Sequence, residues 1–225
     1  MNVKKIVALV PMRHHSQRVP GKNYRMLAGK PLFHHILQSL QDCPEITQTV
    51  VDTDSPEVIE GVRRDFPNVV LIERPEHLRA DNISMNEILL HDTGHVPADL
   101  YIQTHSTNPL LKSETISAAI KMLTDVYPSY DSLFGVTRLQ TRLWDSLVRP
   151  VNHNPAILLQ TQDLPPIYEE NSCIYIFMRQ TLEIRRNRLG ERPFMFEIDR
   201  AEAWDIDEEL DFKVVDLLYK NRLEK

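Results

Sequence analysis

Two groups of residues in this chain have the types and spacing to do chemistry. The first lies between Arg13 and Lys30. Arg13, Arg18, Lys22, Arg25 and Lys30 stand there with His14 and His15, without one Asp or Glu. The whole chain carries a formal net charge of -6, so the segment is a local reversal of sign. Arg and Lys neutralise a polyphosphate, and Ser16 and free backbone N–H groups can hydrogen-bond it. The second group is Asp205-Ile206-Asp207. In an extended segment residues i and i+2 point to one side, so both carboxylates share a face while Ile206 points to the core. Mg²⁺ is usually held by one or two carboxylates plus substrate phosphates. The same acidic run also suits the N-terminus of a last helix, where carboxylates meet the positive end of the dipole.

Other candidates carry less. Asp52-Thr53-Asp54 is a second acidic pair, with a structural role expected and Ser55 as a helix cap. His91 and His95 stand at i and i+4, on one helix face. Gly94 lies between them and no third ligand of defined spacing follows, so both are expected at the surface.

These groups need elements to hold them. Ile6–Val10 is a short apolar run that reads as a buried strand, and the basic loop leaves its C-terminal end. A ligand-binding loop in an open α/β sheet lies there. Leu32, Phe33, Ile36, Leu37 and Leu40 then recur at helical spacing. Strands are expected at Thr49–Asp52, Val69–Ile72, Leu100–Gln103 and Leu133–Thr137. Helices are expected between them, with Ser55 and Ser113 as caps and one near Met85–His91. This alternation predicts an α/β fold: a mostly parallel sheet with helices on both faces. From about 138 to 170 the pattern breaks around Pro150, Pro155, Pro165 and Pro166. That stretch also holds Leu143, Trp144, Ile157, Leu158 and Leu159, too apolar for a solvated tether. It reads as a protruding arm. Regular structure resumes at Cys173–Phe177, and a last helix carries Leu210, Val214, Leu217 and Leu218.

Bulk properties bound the rest. A length of 225 residues fits a single domain over 1–225 with a small arm. The acidic balance argues against nucleic acid as the main partner. Cys43 and Cys173 form no CxxC, so a reduced, cytoplasmic protein is expected. No apolar stretch is long enough to span a bilayer, and the first one meets Pro11 and Arg13 too soon for a signal sequence.

The first loop resembles a known family. Pro11-Met12-Arg13-His14-His15-Ser16-Gln17-Arg18-Val19-Pro20-Gly21-Lys22-Asn23 is similar to the Pro-Ala-Arg-x-x-Ser-Lys-x-x-Pro-x-Lys-Asn of acylneuraminate cytidylyltransferases, the CMP-sialic acid synthetases. Gln17 departs, since lysine is usual there. Arg74-Pro75 through Asp81, Gln103 through Leu110, Asn171 through Ile176 and Asp205 through Asp211 also look like the family, so the resemblance covers nearly the whole chain.

It implies a Rossmann-like three-layer α/β sandwich, usually a homodimer whose arm reaches a second subunit. The implied reaction is CTP plus a sialic-acid-like sugar acid giving a CMP-sugar and pyrophosphate. Arg13, Ser16, Gln17, Lys22 and Asn23 would hold the nucleotide, with Arg74, Asp81 and Ser84 near its base or sugar. Gln103, Asn171 and Tyr175 would face the sugar acid. Mg²⁺, with Mn²⁺ as an alternative, would sit on Asp205 and Asp207; Arg13 and Lys22 would complete the catalytic set. Three positions depart on the acceptor side: Thr161 where relatives have arginine, Ser172 where glycine is usual, and a longer Gln103–Pro109 loop. They point to an acceptor other than N-acetylneuraminate. Two rival readings stay open: a metal-dependent glycosyltransferase with its Asp-x-Asp pair, and a relative that binds nucleotide without catalysis.

Overall fold

The computed structural model describes residues 3–223. β1 (Ile6–Met12) is buried at every position and alternates between two cores. Ile6, Ala8, Val10 and Met12 pack with α1 (Leu32–Gln41), with α2 (Pro56–Asp65) through Val58 and Val62, and with α4 (Ser113–Val126) through Ile116 and Ile120. Val7 and Leu9 pack on the opposite face, against Leu89 of α3 (Met85–His95) and Leu182 of α5 (Arg179–Arg185). A strand with no polar side is what a sheet covered on both faces requires. The result is the expected three-layer α/β sandwich.

The remaining large-sheet strands are β4 (Gln48–Thr53), β5 (Val70–Glu73), β6 (Leu100–Thr104), β7 (Ser132–Leu139), β8 (Ile167–Phe177) and β9 (Pro193–Glu197); β2 (Met26–Leu27) and β3 (Lys30–Pro31) form a separate hairpin. The sheet runs β5-β4-β1-β6-β8-β7-β9. β1 pairs in parallel with β4 and β6, and β4 with β5; β8 lies antiparallel between β6 and β7. The chain moves outward from β1 to β4 and β5, then returns to β6 on the other side. That reversal opens a crevice at the C-terminal ends of β1 and β6, where α/β sheets bind ligands.

Two expectations need correction. β8 starts at Ile167, before Cys173, and pairs with β7 as far as Leu139, so the irregular segment is 140–166. Ser113 does not cap α4. It is the helix's first residue, Lys112 holds the cap position, and the Ser113 hydroxyl turns to Glu114. Ser55 does cap α2, accepting from the Val58 N–H.

The 140–166 segment is pinned from inside by Asn152. Its Nδ2 donates to the carbonyls of Thr141 (2.7 Å) and Pro165 (3.2 Å), and its Oδ1 accepts from the Leu143 N–H. Leu164 is buried, but Trp144, Leu147, Val148 and Leu158 are exposed.

A third core of Val19, Leu27, Leu32, Leu110 and Ile206 includes Phe212 and Val215 of α6 (Glu209–Leu223). It joins three segments remote in sequence: the basic loop, the loop after β6, and the Asp205–Asp207 stretch.

Candidate active site

A cavity of about 530 Å³ opens over the C-terminal ends of β1 and β6. Its walls carry Arg13, Arg18, Lys22, Arg74 and Arg79 against Asp81, Asp205 and Asp207, an excess of positive charge in a protein of net charge -6. The local backbone explains how the loop presents these groups. Gly21 has φ 67°, and a Cβ there would lie 2.9 Å from the Tyr24 ring, so glycine suits this turn. The turn starts a short 3₁₀ segment, Lys22–Tyr24.

Lys22 leans inward. Its Nζ donates to the Ile206 carbonyl at 2.6 Å and lies 3.7 Å from Asp207. Burial lowers its pKa, with Asp205 and Asp207 opposing the effect. Arg18 Nη2 donates to Asp207 Oδ1 at 2.7 Å. On the opposite wall Asp81 accepts from Arg13 Nη1 (2.6 Å) and Gln17 Nε2 (2.8 Å). Ser16 also lines the cavity.

Asn23 is buried and serves the loop itself. Its Nδ2 donates to the Arg13 carbonyl at 2.8 Å, and its Oδ1 accepts from Ser106 at 2.6 Å. Arg74 is buried too, its Nε donating to Asp52 at 2.5 Å. Asp52 is therefore an ion-pair partner for Arg74, and Asp54 accepts the His14 N–H at 2.7 Å. Burial, then the neighbouring Asp52, pushes Asp92 up to about 9, so Asp92 is protonated at neutral pH. His91 is part-buried beside Asp92, its ring 4.3 Å from that of His95; only His95 is fully at the surface.

The carboxylate stretch alternates as its sequence predicts. Ile206 is fully buried, while Asp205 and Asp207 both line the cavity. The loop after β6 braces it: the Thr107 carbonyl accepts the Ile206 N–H at 2.9 Å, and Asn108 Nδ2 donates to the Trp204 carbonyl at 3.3 Å. Asp211 caps the stretch, accepting from the Asp207 and Glu208 N–H groups. Asp205 Oδ1 is buried without a partner. Burial pushes its carboxyl up, and Asp207 and Asp211 add to this while Thr107 and Lys22 oppose it. A buried, unpartnered carboxylate oxygen beside a second carboxylate fits a divalent cation of oxygen preference.

The predicted acceptor residues lie deeper. Asn171 and Ser172 border an adjoining cavity with Glu170, Trp204, Asp205 and Asp207. Asn171 Nδ2 donates to Thr137 at 3.1 Å, and its Oδ1 accepts the Cys173 N–H. Gly135 sits where the β7–β8 register shifts; a Cβ there would come within 2.6 Å of Asn171 Oδ1. Ser172 has φ 58°, the left-handed region, which gives a physical reason for glycine at this place in relatives. Gln103 and Tyr175 are buried and do not line the cavity. Ser84 is exposed, its hydroxyl accepts the Glu87 N–H at 3.3 Å as the cap of α3, and it is not on the cavity wall. Thr161 is exposed on the 140–166 segment and borders neither cavity.

Four residues escaped the sequence reading of the site. Arg18 was visible as charge in the basic loop. His105 and Thr107 stand in the lengthened loop. Arg79, five residues after Arg74, lines the cavity as well.

Fold and cleft together define a nucleotide-handling α/β protein: an open sheet, a cationic loop at its switch point, and a carboxylate pair facing that loop. A family model described as Cytidylyltransferase matches residues 7–224. The chain belongs to that family. It is 27% identical over 218 residues to N-acylneuraminate cytidylyltransferase A of Danio rerio, covering 94% of this chain and 50% of that protein. It thus spans about half the length of that relative, as it does of the Oncorhynchus mykiss N-acylneuraminate cytidylyltransferase. It is 29% identical over 229 residues to the CMP-N,N'-diacetyllegionaminic acid synthase of Legionella pneumophila, covering 95% of this chain and 96% of that one. Its fold matches a solved CMP:2-keto-3-deoxy-manno-octonic acid synthetase complexed with CTP, with a TM-score of 0.73 at 17% identity, over 97% of this chain and all of that one.

Proposed function

We propose that this protein transfers CMP from CTP to a 2-keto-3-deoxy sugar acid of the sialic-acid-like class and releases pyrophosphate. The observation that carries the reading is the facing of the 13–25 loop and the Asp205–Asp207 pair across one cationic cavity. The names of the relatives support it, since each handles an acylneuraminate, a legionaminic acid or a related acid. Transfer at phosphorus depends on in-line positioning and charge neutralisation rather than on a covalent intermediate. Arg13, Ser16, Gln17 and Lys22 would hold the triphosphate, Asn23 would keep the loop in shape, and Arg74 would approach the nucleotide held on Asp52. Asp81 would release Arg13 and Gln17 to the ligand. Mg²⁺ or Mn²⁺ on Asp205 and Asp207, when bound, would supply Lewis-acid polarisation of the phosphate.

The acceptor departs from N-acetylneuraminate in this reading. Ser172 and the lengthened 103–109 loop border the cavities, where they shape the space left for the acid. The exposed apolar residues of segment 140–166 support a homodimer, and two buried, unbridged thiols suit the cytoplasm. Among the described residues no helix is long and apolar enough to cross a membrane.

A pyrophosphate-release screen of nucleoside triphosphates against a panel of 2-keto-3-deoxy sugar acids tests the reaction. Arg13→Ala and Lys22→Ala should each weaken CTP binding by about tenfold or more, the usual scale for a lost charge-assisted hydrogen bond. Unchanged CTP affinity in both variants by calorimetry would remove the loop from the reading.

A further inference from the structure

The lengthened loop after β6 puts His105 on the wall of the main cavity, partly exposed. The β6–β8 ladder ends where Thr104 pairs with Ile174, so His105 leaves it next to Cys173 and Ser172. The backbone there is fixed. The His105 carbonyl accepts the Asn108 N–H at 3.3 Å. The next side chain, Ser106, is buried and donates to Asn23 of the basic loop at 2.6 Å. Among the described residues the His105 ring has one hydrogen-bond partner: its Nε2 lies 2.7 Å from Gln103 Nε2.

Which of these two nitrogens donates is decided one residue further back. Arg188, on the connection from α5 to β9, donates its Nη1 to Gln103 Oε1. Its guanidinium carbon lies 3.4 Å from the centroid of the Tyr175 ring, and its backbone N–H donates to Asn86 Oδ1 at 3.1 Å. A guanidinium has donors only, so the oxygen of the Gln103 amide must face Arg188. The amide nitrogen then faces the loop, where one hydrogen goes to the Thr104 carbonyl at 3.3 Å. The other points at His105 Nε2, which has to accept it. An imidazole that accepts at Nε2 is neutral and carries its hydrogen on Nδ1. Burial, then Arg188 and Lys22, act in the same direction and lower the His105 pKa to about 3.

The Nδ1–H has no acceptor among the described residues. Nor is it shut in: the buried ring nitrogens without a partner are those of His34, His35 and His153. It opens on the cavity that His105 lines, beside Ser172, which borders the adjoining cavity as well.

We propose that His105 donates a hydrogen bond to an oxygen of the sugar acid, its Nδ1–H fixed in place by Arg188 acting through Gln103. The inference rests on the proposed reaction and names a residue that binds its acceptor. Gln103, expected from the sequence to face the acid, is wholly buried and reaches the cavity only through His105. A neutral donor suits a hydroxyl or carboxylate oxygen, and it adds no positive charge to compete with a cation on Asp205.

The test uses the full chain with CTP, Mg²⁺ and three acids: N-acetylneuraminate, N,N'-diacetyllegionaminic acid and 3-deoxy-manno-octulosonate. His105→Phe should raise KM for the acid about three- to tenfold, the scale of one neutral hydrogen bond, with KM for CTP within about twofold. Asparagine places its amide nitrogen where Nδ1 stands, and glutamine reaches the place of Nε2. His105→Asn should therefore recover most of the loss and His105→Gln should not. A merely structural role would give the reverse, because glutamine alone keeps a partner for Gln103. Calorimetric CTP binding shows that each variant is folded. Histidine-ring NMR of the ¹⁵N-labelled protein, assigned with His105→Phe, should show hydrogen on Nδ1 and none on Nε2 from about pH 5 to 8. Gln103→Glu sets an acceptor against Nε2, so it should move the hydrogen there and raise KM for the acid as His105→Phe does. An Nε2–H ring or an imidazolium in the wild type would overturn the fixed donor. Unchanged KM for the acid in His105→Phe, or a rise confined to CTP, would overturn this assignment while the reaction stands. No turnover of any of the acids, with CTP bound, would overturn the reaction and this assignment with it.

Discussion

Replacing Asp205 with asparagine should separate stability from activity. The carboxyl is buried, one of its oxygens has no partner, and burial works against its charge. Asparagine keeps the shape and removes the charge. Burial penalises the charge itself, and asparagine lacks that charge, so the ligand-free variant should gain on the order of 1 kcal/mol. In a domain of this size that is roughly 2–4 °C in Tm. The cation-bound state moves the other way. A divalent cation and a unit negative charge about 4 Å apart attract by roughly 8 kcal/mol at an effective permittivity near 20. Allowing about three-quarters of that for desolvation leaves about 2 kcal/mol, or some thirtyfold in cation affinity. Thermal unfolding with and without Mg²⁺ and CTP, beside pyrophosphate release, reads both effects. The expected pattern is an unchanged or higher Tm without ligand, loss of the Mg²⁺-dependent rise, and turnover down about thirtyfold at limiting Mg²⁺. A ligand-free Tm more than about 4 °C below wild type would refute the reasoning, because Asp205 would then be a structural anchor.

Ser172→Gly should stabilise the protein by about 0.5–1 kcal/mol, since it removes a left-handed side chain whose hydroxyl makes only a 3.4 Å contact; a lower urea midpoint would contradict this. Gly135→Ala should cost about 1–3 kcal/mol, because the new Cβ meets Asn171 and the Ile198 side chain within 2.7 Å; unfolding midpoints decide. Asp92 holds a proton in the fold that it lacks when unfolded, across pH about 4 to 9, so it lowers stability as pH rises through that window. Asp92→Asn should flatten that slope and gain more at pH 8 than at pH 5, as parallel melts at the two pH values would show. Light scattering at high micromolar concentration should give a dimer; a monomer would remove the role proposed for the exposed residues of segment 140–166.

What the sequence made legible was local. An apolar run ending at Met12 with a cationic loop after it locates the crevice, because the end of a first strand is a fixed place in such sheets. Ile206 between two aspartates gives their common side from the pleat alone. What stayed hidden depends on long-range pairing. Nothing in the pattern Ile167–Phe177 says that the strand runs antiparallel between β6 and β7, and its solvated first half hides it further. Gln103 sits at a strand end, where exposure is a fair expectation, but Arg188 closes over it from 85 positions away. Ser84 could face a ligand or cap a helix, and only the path of α3 shows that its hydroxyl is taken. Ser113 misled for a similar reason: a serine before a helical pattern fits the cap or the first turn equally well.

The pairing of Arg18 with Asp207 has a thermodynamic consequence. Without ligand, each charge satisfies the other across the crevice. A polyphosphate that draws Arg18 away leaves Asp207 with only Lys22, at 3.7 Å, beside it and hungrier for a cation. A divalent ion settling on Asp207 sets Arg18 loose for the anion. Each guest prepares the seat of the other, and by reciprocity the factor by which nucleotide tightens the metal must equal the factor by which metal tightens the nucleotide. A single 2.7 Å contact would make the two arrive as one cooperative event rather than as independent tenants.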